Sequence, residues 1–157
     1  MTDQELVDKL KSLLGEKIAE ISVPSLRRVF FRVDPGNLTA AADVLKKDVG
    51  IWHISTISGV DVGDGFEILY HFGPDKGSLT MRTKIPSDNP HVESLCPFFP
   101  GAILYERELQ DMFGITVDHI PDPRPLIVPD DWPAGNFPLR KDWTYERPEE
   151  IIPGGKK

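Results

Sequence analysis

The distribution of proline limits this chain more than any other feature. Eight of its fifteen prolines fall in the last 43 residues, 115–157. Proline has no backbone N–H, breaks a helix interior and spoils a central strand. That segment is therefore predicted to lack regular elements. It is not a disordered tail by composition, because Ile115, Val117, Leu126, Ile127, Trp132, Phe137 and Trp143 offer more apolar surface than such tails carry. The prediction is an ordered, extended arm lying on something.

Residues 1–114 read as a compact α+β domain. Thr2 with Glu5 three residues later is a capping box. It opens a helix whose stripe is Leu6, Leu10, Leu13 and Leu14, with Gly15 as its stop. Residues 28–33 alternate as a strand. Asp34-Pro35 starts a second helix with stripe Leu38, Ala41, Ala42, Leu45 and Val49, closed by Gly50. A run rich in β-branched residues, 51–62, and two alternating runs follow, broken at Gly63-Asp64-Gly65 and at residues 73–77, and predict an antiparallel meander. Asp88-Asn89-Pro90 predicts a short helix through Cys96. A stronger helix is predicted over 101–113, ending at Gly114. Its buried stripe would be Ala102, Tyr105, Leu109, Met112 and Phe113, with Glu106 and Gln110 on another face and Arg107 paired with Asp111 at i, i+4. The architecture expected is helices on one face of a small, mostly antiparallel sheet, then an extended proline-rich C-terminal arm over 115–157.

Composition excludes several functions. The chain has 157 residues, enough for one core, with 39% hydrophobic and 27% charged residues. A net charge of -7 argues against a general nucleic-acid binder and against attachment to anionic lipid by charge. No run reaches the ~20 apolar residues of a membrane helix. Asp3 and Glu5 stand where a secretory signal would be basic, so none is expected. One cysteine, Cys96, excludes an internal disulfide and a cysteine-built metal site, and reads as a small buried hydrophobe. His53, His71, His91 and His119 show no metal-site spacing. Gly59, Gly63 and Gly65 lead into a strand rather than a helix, so they form a hairpin and not a phosphate loop.

Two dense clusters remain. Glu106-Arg107-Glu108-Leu109-Gln110-Asp111 sets three carboxylates around one arginine. That pattern suits acid/base chemistry, a solvated helix face or a charged docking face. The second cluster runs through Pro129-Asp130-Asp131-Trp132-Pro133 to Phe137-Pro138-Leu139-Arg140-Lys141-Asp142-Trp143. Rigid prolines, tryptophans and arginine make good interface anchors. Composition leaves open whether this arm binds a partner or folds back over its own domain.

The two clusters in this order resemble the 30 kDa subunit family of respiratory complex I, the NADH dehydrogenase C-type subunits. The stretch from Tyr105 to Ile115 resembles its E-R-E-x-x-D-M-F-G-[IV] signature. Pro121-Asp122-x-Arg124 and Pro138-Leu139-Arg140-Lys141-Asp142 resemble its P-D-x-R and P-L-R-K-D elements. Ile120 stands where the family often has histidine, and the stretch around Asp130-Asp131-Trp132-Pro133 is closer to the branch found in membrane-bound energy-converting hydrogenases and archaeal complex I-like dehydrogenases. The resemblance implies a peripheral subunit with no cofactor, no metal and no active site of its own, held on the cytoplasmic side of the membrane. It implies as partners the D-type large subunit, related to the large subunit of nickel–iron hydrogenases, which the arm would follow, and iron–sulfur subunits that hold the clusters. The residues it marks for a partner interface are Glu106, Arg107, Glu108, Asp111, Arg124, Arg140, Lys141 and Asp142, to which the anchors Trp132 and Trp143 are added. The competing expectations are a stand-alone α+β acid/base enzyme using Glu106, Glu108 and Asp111, and an adaptor that binds peptides at its sheet edge.

Overall fold

A computed structural model describes residues 2–74 and 77–144. The first helix, α1, spans Asp3–Leu14, and both halves of the Thr2–Glu5 capping box are made. Its buried residues are Leu6, Val7, Leu10 and Leu14, whereas Leu13 is 40% exposed. Val7 thus takes the place expected for Leu13. The strand β1 covers Ile18–Ser25 and was not legible in the sequence. It is an edge strand whose residues are mostly exposed, so it shows no two-residue alternation.

The strand β2, Arg28–Val33, buries Val29, Phe31 and Val33. A 3₁₀ turn at Pro35–Asn37 leads into α2, Leu38–Val44, which continues as a π-helical turn, Leu45–Val49. Gly50 ends it in the left-handed region at φ 85°. The meander follows as expected: β3 Ile54–Asp61, β4 Gly65–Phe72 and β5 Ser78–Pro86, paired antiparallel in sequence. Of the turn expected at 73–77, Asp75 and Lys76 lie outside the described residues.

The sheet order is β1-β2-β5-β4-β3. β5 enters beside β2 and pairs with it in parallel, the one parallel contact in a five-stranded sheet. One face, carrying Phe31, Met81, Tyr70 and Ile57, is buried in the core with α1 and α2. The other carries Arg32, Glu67 and Arg82, with Glu67 accepting from both arginines.

Residues after β5 depart from expectation. The segment read as a helix from Asp88 is instead a short strand, β6, His91–Glu93. It pairs in parallel with β7, Thr116–Asp118, 25 residues on. Local start signals favoured a helix, but this distant partner satisfies the backbone. A 3₁₀ turn at Pro100–Ala102 opens α3, Ile103–Phe113, which ends at Gly114 with φ 66°. Ile115 and Val117 are 1% and 3% exposed and belong to the core, so the compact unit runs past residue 114. Among the described residues no helix is long and apolar enough to cross a membrane.

Candidate functional site

The charged helix α3 and the following arm form one unit. Glu106 is not on a solvated face. Its spacing from Ala102, Leu109 and Phe113 places it on the apolar stripe, and it is 1% exposed. Its carboxylate accepts hydrogen bonds from the Leu95 N–H at 2.6 Å, the Ser94 hydroxyl at 2.7 Å and the Cys96 thiol at 3.2 Å. A buried carboxylate without a cation persists only when donors replace its water. These three tie α3 to the segment after β6. Burial and the Glu106 carboxylate push the Cys96 thiol up to about 11, which makes it an inert, buried group. Burial first, and Glu106 second, also raises the Tyr70 phenol well above its ordinary value.

Arg107 and Asp111 do not pair with each other as expected. Arg107 Nε donates to the Arg124 carbonyl at 2.7 Å, and its terminal nitrogens reach the Pro125 carbonyl at 2.8 Å and Asp122 at 3.5 Å. One Asp111 oxygen accepts from the N–H groups of Leu126 at 2.8 Å, Ile127 at 2.7 Å and Val128 at 3.4 Å. Among the described residues no strand pairs with these backbone groups of the proline-broken arm, and the two side chains of α3 bond them instead. Arg124 forks onto Asp122 and holds that carboxyl well below the usual range, while remaining exposed itself.

The arm then closes the end of α3. The Leu139 N–H donates to the Met112 carbonyl at 3.0 Å, and Arg140 Nε to the Phe113 carbonyl at 2.6 Å. The Arg140 guanidinium lies between the rings of Phe66 and Phe137, 5.1 and 4.6 Å from their centres. The Lys141 N–H donates to Asp61 at the end of β3, and this bond with that from Gly63 lowers the Asp61 pKa. Trp132 donates from its indole to the Asn136 carbonyl and sits 6.5 Å, ring centre to ring centre, from Trp143. The Lys141 and Asp142 residues are exposed, and so is Glu108, which makes no hydrogen bond or ion pair among the described residues.

Of the ten sequence-marked residues, then, Glu106, Arg107, Asp111 and Arg140 hold the chain to itself. The three carboxylates proposed for acid/base chemistry do not converge: Glu106 faces the core, Asp111 the arm and Glu108 solvent. Sequence reasoning missed Ser94 and Asp61, whose partners lie 12 and 80 positions away. Three histidines pair with other side chains, His71 with Thr80, His91 with Asp118 and His119 with Glu93, and the His53 ring lies 5.3 Å from that of Trp52, centre to centre. Among the described residues no three His, Cys, Asp or Glu side chains are placed to hold a metal ion.

Residues 31–149 match the family described as respiratory-chain NADH dehydrogenase, 30 kDa subunit. The chain is 31% identical to the C-type subunit of F420H2 dehydrogenase from Methanosarcina mazei, over 91% of this chain and 92% of that protein. It is 37% identical to the membrane-bound hydrogenase subunit beta of Pyrococcus furiosus, over 54% of this chain and 49% of that one. The fold matches a chain in the structure of an archaeal membrane-bound sulfane sulfur reductase, described as a respiratory membrane complex, with TM-score 0.80, 24% identity and coverage of 90% and 85%.

Proposed function

The chain belongs to the respiratory-chain NADH dehydrogenase 30 kDa subunit family, and from that premise we propose that it is a cofactor-free peripheral subunit of a complex I-like, ion-translocating membrane oxidoreductase. It would sit on the cytoplasmic side and scaffold the D-type large subunit related to nickel–iron hydrogenases, beside subunits that hold iron–sulfur clusters. The near full-length similarity to an F420H2 dehydrogenase subunit favours that branch over a quinone reductase fed by NADH.

One observation carries the scaffold reading. The charged signature residues bind backbone, not an open cleft: Arg107 takes two arm carbonyls and Asp111 three arm N–H groups. Such bonds shape a rigid ridge out of a segment that proline keeps from folding regularly. A pre-shaped ridge loses less entropy on docking than a mobile tail.

The test compares the abundance of the complex with turnover per assembled complex in strains carrying Arg107→Ala or Arg140→Ala. The scaffold reading expects depleted complex with near-normal turnover in what remains. Normal abundance with turnover lost per complex would place these arginines on an electron or proton path and reject it.

A further inference from the structure

Resting on the scaffold reading above, we propose that the outward face of α3, formed by Leu104 and Glu108 and continued by Leu126 and Ile127 of the arm, docks a basic, apolar segment of a partner protein. The segment would present an arginine or lysine among aliphatic or aromatic side chains.

Within α3 the side chains of Glu106, Arg107 and Asp111 are all engaged inside the chain. Glu108 alone among its charged residues has no partner among the described residues. Leu104 lies one turn before it on the same helix face and is 51% exposed. The Asp111 bonds to the Leu126 and Ile127 N–H groups bring the arm alongside the next turn, with those side chains 39% and 55% exposed. The Arg107 bonds to the Arg124 and Pro125 carbonyls fix the same stretch, so this apolar surface is built and held rather than incidental.

Charge selects the occupant. Residues 104–131 contain seven carboxylates against two arginines, and so carry most of the chain's net charge of -7. Both arginines are occupied, Arg107 by the arm and Asp122, Arg124 by Asp122. Glu108 is thus an exposed carboxylate beside arginines that are already taken, and it favours a cation. It disfavours nucleic acid and anionic lipid. A second copy of the same face would set carboxylate against carboxylate. A lysine or arginine flanked by apolar residues satisfies Glu108 and covers the leucines together.

The experiment places a photo-crosslinking benzoylphenylalanine at position 104 in the chain as assembled in its native membranes, with position 16, at the other edge of the molecule, as control. The expected product is a cross-link from 104 to another polypeptide, at a peptide with Lys or Arg among apolar residues. Glu108→Arg is expected to lower recovery of the chain with the complex about tenfold, and Glu108→Gln less, with the thermal stability of both isolated variants unchanged. The inference is overturned if the chain is recovered with the complex while position 104 yields no cross-link, or only one to lipid or to a second copy. It is also overturned if Glu108→Arg is retained like the parent. A chain recovered with no membrane polypeptide at all overturns the scaffold reading, and this one with it.

Discussion

Arg140 donates from Nε to the Phe113 carbonyl at 2.6 Å, so the last turn of α3 is closed by a residue 27 positions further along the chain. The helix would otherwise end on unpaired carbonyls. The same guanidinium stacks on Phe66 of the sheet and Phe137 of the arm. One side chain thus joins core, helix end and arm.

Arg140→Ala is accordingly expected to loosen the arm before it unfolds the domain. The charge-assisted bond and the ring contacts together are worth about 2–3 kcal/mol. Hydrogen exchange at the Leu139 and Lys141 amides should accelerate by about 30- to 150-fold, the equivalent in rate, while amides of β4 and β5 keep their protection. Arg140→Lys should restore little, because an ammonium lacks the planar stack. Unchanged exchange at residues 139 and 141 would show that the arm is held elsewhere.

Glu106 and Glu108 are two residues apart and should behave oppositely. Glu106→Gln replaces one accepting oxygen by an amide N–H₂, which must then face either the Leu95 N–H or the Ser94 hydroxyl and Cys96 thiol, and it removes charge from bonds made in the core. The expected cost is about 3 kcal/mol, seen as a lower urea midpoint at unchanged slope. Glu108→Gln changes an exposed side chain that has no partner among the described residues and should stay within about 0.5 kcal/mol of the parent. Equal effects at the two positions would contradict the burial of Glu106.

Much of the fold can be read locally because local signals determine it. Thr2 and Glu5 cap α1, Gly50 and Gly114 stop their helices, and alternation marks β4 and β5. What was lost depends on distant partners. β6 has strand geometry only because β7 lies beside it, and β1 is an exposed edge without a period. The site failed in the same way. Arg107 and Asp111 stand at a spacing that suits a mutual pair, yet arm carbonyls and N–H groups with no ladder of their own outcompete it. Glu106 was recoverable: with Ala102, Leu109 and Phe113 it keeps the helical spacing of the buried face, and only its charge argued otherwise.

Acid should release the arm. Asp61 is held below its ordinary value by the Lys141 and Gly63 N–H groups, and Asp122 by Arg124. Because the folded values are depressed, the stabilisation is complete above the unfolded carboxylate value of ~3.9 and is lost as pH falls through the folded values. Tryptophan fluorescence from Trp132 and Trp143 should therefore stay constant from about pH 8 to pH 5 and change below about pH 4. A transition between about pH 6 and 7 would assign the control to histidine instead.

Gly114→Ala tests the joint between helix and arm. Gly114 sits at φ 66°, a conformation that costs alanine about 1 kcal/mol. A methyl group there would also meet the Phe137 ring, whose nearest carbon lies 2.4 Å from the position of its Cβ. Phe137 cannot simply turn away, since it packs under Arg140. The arm must shift, and the loss should exceed the backbone term, about 2–3 kcal/mol in all, or several degrees in Tm. Cleavage of the arm by protease should rise in parallel. The decisive comparison is a double-mutant cycle with Phe137→Ala. If the ring contact is the cause, Gly114→Ala should cost only the backbone term once the ring is gone. An equal cost in both backgrounds would mean that Phe137 does not seat the arm on Gly114.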